Sequence, residues 1–169
     1  RRVNVKAYYP DYPSANLPVV DAAVRYDDPY DGLSRYLIVR NVLYVPSMLN
    51  NLIPPFIIRE EGIQLKEVPK IHVEEVGVED HSMFFKDTKY RIPLSLHGIF
   101  SYFPLCKPEI SEINEAEEHQ VYTLTPQHWN LHDPAYSINE ENMLDWEGNL
   151  KQERDRNKII LSQQEEDVN

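Results

Sequence analysis

Hydrophobic and polar residues alternate along several short stretches in the first hundred residues of the chain. Val3, Val5 and Ala7 recur with a period of two, which predicts a short strand. Residues 17–26 and 35–45 are longer runs rich in Val, Ile, Leu and Tyr, with Asp-Pro and Asp-Gly turn formers between them. The pattern predicts a long β-hairpin. Its second strand should be central, because both of its faces are largely apolar.

After this hairpin, the sequence predicts one short helix and several short strands. Pro54 and Pro55 precede an apolar segment that ends at Gly62, which is typical of a two-turn helix. Period-two runs predict strands at 64–67, 70–76, 83–85, 91–96 and 99–103. Pro69 and Pro93 would favour sheet edges, because proline lacks a donor for the ladder. The predicted fold class is therefore mainly β.

Charge divides the chain into two blocks. Residues 1–108 carry 13 basic and 13 acidic side chains, whereas residues 109–169 carry 4 and 15, so the whole net charge of −11 lies in the second block. This asymmetry predicts a domain at 1–108, followed by an acidic linker or tail at 109–169 that is largely disordered. Within that tail, residues 109–118 could form a marginal helix.

The same composition excludes some partners. The acidic block would repel nucleic acid, and no basic stripe offsets it. No apolar run approaches the roughly 20 residues that span a bilayer, so we expect no membrane partner, and we expect no signal peptide before the domain.

Cys106 is the only cysteine, which rules out an internal disulfide and favours a reducing, cytoplasmic location. The chain begins Arg1-Arg2 rather than with Met, so we expect its N-terminus to be a cut within a longer protein.

Three short strings resemble one protein family. Residues 41–46 read Asn-Val-Leu-Tyr-Val-Pro, residues 50–53 read Asn-Asn-Leu-Ile, and residues 61–62 read Glu-Gly. Together they resemble the second half of the retropepsin-like aspartic protease in copia-type (Ty1/copia) retrotransposon Gag–Pol polyproteins. Residues 1–5 and 17–23 fit the same family. Residues 140–148 are similar to the linker that joins protease to integrase in some of these elements.

The resemblance implies a small, incomplete retropepsin-like β-barrel with one short helix. It also implies a homodimer acting on a peptide or polyprotein substrate, inside a cytoplasmic virus-like particle. A flap over the substrate cleft belongs to this fold. In this chain, the flap would be the turn of the long hairpin. We call that turn the hairpin tip and define it by five residues: Asp28, Pro29, Tyr30, Asp31 and Gly32.

The catalytic chemistry of that family is missing from the sequence. Aspartic proteases share one proton between two carboxylates, each carried in an Asp-Thr-Gly or Asp-Ser-Gly triplet. Neither triplet occurs in the 169 residues. Asp21 is followed by two alanines and Asp87 by Thr-Lys. We therefore predict that Asp21 is a residue of a hairpin strand and that Asp87 lies in an exposed turn. We assign no catalytic residue, and expect the catalytic strand to precede Arg1 and this chain alone to be inactive.

Two other constellations are weaker. His128, His132 and Asp133 have metal-ligand spacing, but prolines at 126 and 134 argue against a helix, so we predict no metal site. Cys106 and His97 could be proposed as nucleophile and base, yet nothing in their order supports it, and we predict that His97 marks a bend between strands. We predict no cofactor.

The leading hypothesis is a protease fragment whose parent protein processes Gag–Pol. The alternatives are a non-enzymatic β-barrel module that binds peptides by strand addition, or a degenerate relic. In the peptide-binding module, the acidic tail would dock on a basic partner.

Overall fold

The structure is a computed structural model that describes residues 1–5, 15–130 and 132–151. Its contacts divide the chain into two compact units, Arg1–Trp129 and Asn130–Asn169. Within the described residues, strands are the main regular element, and they form the body of the first unit. The strands are β1 (Arg2–Val5), β2 (Ala15–Asp27), β3 (Ser34–Leu43), β4 (Gln64–Lys66), β5 (Ser82–Phe85), β6 (Tyr90–Pro93), β7 (Ser95–His97), β8 (Phe100–Tyr102) and β9 (Val121–Thr123). The helices are α1 (Pro55–Glu60), α2 (Ile110–Glu115) and α3 (Pro134–Met143).

The predicted long hairpin is confirmed. Strands β2 and β3 pair antiparallel and lie in the middle of a sheet with the order β1-β2-β3-β9. The register shifts between Val20 and Ala22, where the strand carries a bulge. At this bulge the Asp21 carboxylate accepts a 2.8 Å hydrogen bond from the Asn41 backbone N–H. Asp21 is therefore a strand residue that satisfies a neighbouring backbone donor, as predicted.

The shorter elements follow the predicted pattern with two exceptions. Strands β4, β5 and β6 form a second antiparallel sheet, and β7 and β8 form a two-stranded sheet. The strand predicted at 91–96 is therefore divided at Leu94 into β6 and β7, which belong to different sheets. The strand predicted at 70–76 is wrong, because Pro69 is followed by a single 3-10 turn at Lys70–His72 and then by irregular chain. His97 and Gly98 mark the turn between β7 and β8, as predicted.

The short helix α1 is confirmed, and its boundaries have local causes. Proline occupies its first turn, where a missing N–H removes no helical hydrogen bond. Gly62 lies just past its end with φ +89°, a conformation that glycine adopts without strain. Ile57 and Ile58 are buried, so the helix closes one side of the core.

The core of the first unit lies between the two larger sheets and α1. Its buried members are Tyr26, Leu37, Val39, Ile58, Ile63, Met83, Phe85, Ile92, Tyr122 and Leu124. Eight of these residues come from β2, β3, α1, β5, β6 and β9, while Ile63 precedes β4 and Leu124 follows β9. No single hairpin could bury them alone, so they account for the association of separate sheets.

The first unit extends beyond the predicted boundary at residue 108. Strand β9 pairs parallel with β3, and Leu124, which follows it, is fully buried. Helix α2 is joined to the hairpin by an ion pair between Arg25 and Glu112, with 2.6 Å between the charged atoms. Residues 109–129 are thus a structured part of the first unit, because their few apolar side chains complete its core.

The predicted class, mainly β, is confirmed, and the sheets formed by the described residues do not close into a barrel. The described part holds three helices: α1, then α2 within the 109–118 segment predicted as a marginal helix, and α3, which was not predicted. The predicted disorder of residues 152–169 lies outside the described residues.

The second unit contains α3 and a tight turn. Asp133 caps α3 by accepting a 2.9 Å hydrogen bond from the Ala135 N–H, and Pro134 follows at the first helical position. After the helix, Leu144 and Leu150 form an isolated bridge around a turn. The described helices are all too short or too polar to cross a bilayer.

Candidate functional site

The hairpin tip is held against the rest of the first unit by a buried carboxylate. Asp28 is only 6% exposed. One of its oxygens accepts a 2.8 Å hydrogen bond from the Tyr30 backbone N–H, and the other accepts a 2.7 Å hydrogen bond from the Tyr90 hydroxyl. The first bond shapes the turn, and the second ties the turn to β6, which lies 62 residues further along the chain.

A second acidic residue organises the outer side of the tip. The Asp31 carboxylate accepts a 2.8 Å hydrogen bond from the Leu33 N–H and pairs with the Arg35 guanidinium. The bond from Arg35 is the main cause that lowers the pKa of Asp31. The same guanidinium lies 4.4 Å from the centre of the Tyr90 ring, within the range of a cation–π contact.

The remaining tip residues face solvent. Tyr30 is 81% exposed, and Pro29 and Gly32 are also exposed. Gly32 has φ +72° and donates its N–H to the Asp28 carbonyl at 2.9 Å, which closes the turn. The tip therefore presents a proline, a tyrosine and a glycine outward, while its two carboxylates point to groups of the same chain.

An aromatic cluster lies beneath the tip. The Tyr90 ring is 5.0 Å from the Tyr122 ring, and the Phe85 ring is 4.8 Å from the Tyr122 ring, measured between centroids. Burial, together with the hydrogen bond to Asp28, raises the pKa of Tyr90 far above its usual range. Burial also raises the pKa of Tyr26 to about 12, with the nearby Asp28 charge as the second cause. Both phenols therefore stay protonated well above neutral pH.

A separate apolar cleft of about 340 Å³ opens between α1, the β4–β5 region and the segment after β7. Its walls are mostly aliphatic and aromatic. The lining residues are Asn51, Leu52, Ile53, Pro54, Pro55, Ile58, Leu65, Glu67, Met83, Leu94, Ser101, Tyr102, Phe103 and Leu105. Phe103 also meets the Tyr26 ring edge-on at 6.2 Å, so the tip end of the long hairpin and one wall of the cleft share an aromatic contact.

Few polar groups line this cleft. Glu67 is its only charged residue, and Asn51 and Ser101 add an amide and a hydroxyl. The Ser101 hydroxyl lies 2.9 Å from Nε2 of His81, which is itself buried, and 3.4 Å from the Glu67 carbonyl. Burial, and then the Lys70 charge, lowers the pKa of His81. A mostly apolar cleft with a few polar groups suits an apolar ligand group.

The other residues considered from sequence are dispersed. Asp87 lies in the exposed turn between β5 and β6. His97 makes a ring contact with Tyr102 at 6.1 Å, whereas Cys106 lies 3.8 Å from an Asp27 oxygen. No hydrogen bond joins His97 to Cys106 among the described residues. The described residues also contain no cluster of three metal-ligating side chains, and His128 and His132 are both exposed.

The two residues that hold the hairpin tip from outside it were not predicted from the local sequence. Tyr90 and Arg35 make the contacts that hold the hairpin tip, but each reads locally as an ordinary strand residue. The only available signal was a tyrosine immediately before the strand predicted at 91–96. Comparison with protein-family models, curated proteins and solved structures found no match to this chain.

Proposed function

We propose that this chain is the hairpin-bearing and C-terminal part of a retropepsin-like aspartic protease from a copia-type Gag–Pol polyprotein. In this role it holds an extended peptide and does not cleave it by itself. The observation that carries the proposal is the apolar cleft of about 340 Å³, which lies within the domain that also bears the Asn-Val-Leu-Tyr-Val-Pro string at residues 41–46. The resemblance supplies the family, and the cleft supplies a place for a substrate side chain.

The positions of the acidic residues support the proposal that this chain does not cleave peptides by itself. Peptide hydrolysis by an aspartic protease needs two carboxylates close enough to share a proton. Asp21 already accepts a bond from the Asn41 N–H in the hairpin, and Asp87 is an exposed turn residue. Asp28 is buried against Tyr90. The Asp-Thr-Gly or Asp-Ser-Gly triplet would therefore have to come from sequence outside these 169 residues.

The cleft offers a physical reason for peptide affinity. Burying one Leu- or Phe-sized side chain stabilises a complex by about 1.5–3 kcal/mol relative to leaving it in water. Glu67, Asn51 and the Ser101 hydroxyl would orient the peptide, because polar groups at a cleft edge can pair with its backbone or side chains. A bound peptide would therefore carry a bulky apolar residue at its centre.

Binding tests the first half of the proposal. Fluorescein-labelled, acetylated hexapeptides with a central Phe or Leu are titrated with the protein, and fluorescence anisotropy is recorded. We expect binding that weakens by about tenfold in Tyr102→Ala, because this side chain lines the cleft. Tyr44→Ala is the matched control, since Tyr44 is 55% exposed and lies outside the lining. Equal affinity of Phe- and Gly-centred peptides, or equal loss in the two variants, would contradict the proposed cleft.

Catalysis is tested at the level of the gene. The coding DNA upstream of Arg1 should continue in frame and encode an apolar strand that ends in Asp-Ser-Gly, Asp-Thr-Gly or a close variant. The extended protein should then cleave itself in a pepstatin-sensitive reaction, and replacing the aspartate of that triplet with asparagine should abolish cleavage. An upstream frame without such a strand rules out the protease.

A non-enzymatic peptide-binding module is the second candidate, and one observation favours it. The hairpin tip is bonded to its own fold through Asp28 and Tyr90, as expected of a permanent structural turn. If binding in the cleft is observed while the upstream frame lacks an aspartic triplet, this module becomes the better description.

A further inference from the structure

We infer that the hairpin tip is a latched segment, and that the hydrogen bond between the Tyr90 hydroxyl and the Asp28 carboxylate is its latch. This inference concerns the tip alone and does not rest on the proposed protease function. It differs from the role expected of a flap, which has to move freely over a ligand. In this chain, any movement of the tip over a ligand would first have to break that bond.

The geometry of the bond supports a latch. It measures 2.7 Å and joins an almost fully buried carboxylate to a phenol that is shielded by the aromatic cluster. Hydrogen bonds to charged acceptors are stronger than neutral ones, and burial increases the cost of leaving either partner unpaired. Opening the tip would leave the Asp28 carboxylate to be resolvated and the phenol without its acceptor.

The side chains around the latch favour the closed position. The Arg35 guanidinium lies over the Tyr90 ring and also pairs with Asp31, so one cation connects the ring to the tip. Inside the tip, the Gly32 N–H donates to the Asp28 carbonyl and the Tyr30 N–H donates to the Asp28 carboxylate. The turn is therefore built around the same residue that makes the latch, and the two features should open together.

The latch is a tertiary contact, because its two partners lie far apart in the sequence. Asp28 lies between β2 and β3, whereas Tyr90 begins β6 of the other sheet. The long hairpin would still form its β2–β3 ladder without the bond. The latch thus controls the last few residues of the hairpin and leaves its registered strands in place.

The test is amide hydrogen exchange on the full chain, followed at Asp28, Tyr30 and Gly32. The Leu124 amide, which donates to the Ile38 carbonyl at 2.8 Å, serves as the reference for global unfolding. In Tyr90→Phe the ring and its contact with Arg35 remain, and only the hydroxyl is lost. We expect exchange in the tip to accelerate by on the order of 10- to 100-fold, with a smaller change at Leu124.

Tyr44→Phe is the matched control, because it removes a hydroxyl from a tyrosine that is 55% exposed. It should leave exchange in the tip unchanged. A double-mutant cycle with Asp28→Ala then isolates the bond. In the Asp28→Ala background, Tyr90→Phe should change exchange in the tip by no more than about twofold, because its partner is already gone.

Three outcomes would overturn the latch. Tip amides that exchange as rapidly in the unaltered protein as in Tyr90→Phe would mean that the tip is open already. Independent effects of Tyr90→Phe and Asp28→Ala would mean that the bond does not couple them. Equal acceleration at the tip and at Leu124 would assign the bond to global stability rather than to local closure.

Discussion

Two of the hairpins in the first unit use the same kind of turn but are anchored in different ways. The long β2–β3 hairpin and the short β7–β8 hairpin each turn at a glycine with positive φ, +72° at Gly32 and +63° at Gly98. In the long hairpin, Tyr26, Leu37 and Val39 are buried. In the short hairpin, every strand residue is exposed. This hairpin is joined to the rest of the unit by the Ser101 hydroxyl, which bonds to His81 and to the Glu67 carbonyl. Turn chemistry alone therefore does not decide how firmly a hairpin is held; burial on other elements does.

The largest expected difference between the two hairpins concerns matched leucines. Leu37 on β3 has no exposed surface, whereas Leu96 on β7 is 36% exposed. Leu37→Ala should lower the free energy of unfolding by about 2–5 kcal/mol, because it removes core contacts and leaves a cavity. Leu96→Ala should cost about 1 kcal/mol or less. Urea denaturation of both variants measures the difference, and similar costs would contradict the contrast between the hairpins.

The next effect tests whether residues after 108 support the long hairpin. Leu124 is fully buried and its N–H donates to Ile38 on β3. Leu124→Ala should lower the free energy of unfolding by about 2–4 kcal/mol, less than Leu37→Ala because the site lies beside an edge strand that can relax. Leu49→Ala is the control, since Leu49 is 99% exposed. If Leu124→Ala leaves the free energy of unfolding almost unchanged, residues 121–125 do not contribute to the core and belong to the predicted tail.

A smaller effect should appear at alkaline pH through Tyr26, which lies in the long hairpin. Burial and the Asp28 charge raise the pKa of Tyr26 to about 12, against about 10 in the unfolded chain. The folded state therefore favours the neutral phenol. Its contribution to stability is complete below about pH 10 and is lost as the pH rises through about 12. Unfolding measured between these values should show the loss, and Tyr26→Phe should reduce its slope; an unchanged slope would exclude Tyr26 as the group responsible.

The smallest effect concerns the turns themselves. A Cβ at Gly32 or Gly98 would meet no atom within 4 Å, so alanine at either position brings only the strain of positive φ. Both Gly32→Ala and Gly98→Ala should cost about 1 kcal/mol locally. In the short hairpin this cost should appear as faster local exchange, because the exposed strands can open without the core. In the long hairpin, part of the cost of Gly32→Ala should appear as a lower free energy of global unfolding. If instead Gly98→Ala lowers the free energy of global unfolding and Gly32→Ala only accelerates local exchange, the short hairpin is the better anchored.

Local signals were sufficient for most elements of the first unit. Prolines and a glycine predicted α1, and turn formers flanked by β-branched and aromatic runs predicted β2 and β3. The failure at 70–76 has a local explanation too: Pro69 directs the chain into a 3-10 turn, and charged residues then replace the apolar alternation. For the candidate site, sequence predicted that residues 28–32 form a turn, but the bond from Tyr90 to Asp28 was not predicted.

What the sequence by itself determined was the mainly β class, the long hairpin with its turn, the short helix and the absence of the Asp-Thr-Gly and Asp-Ser-Gly triplets. All of these depend on residues close together in the chain. Only the tertiary structure decided that residues 121–125 complete the core, that the hairpin tip is bonded to β6, and that an apolar cleft opens beside α1. Each of these joins residues from distant parts of the chain. Such pairings follow from which apolar surfaces can be buried together, a condition that short sequence windows do not contain.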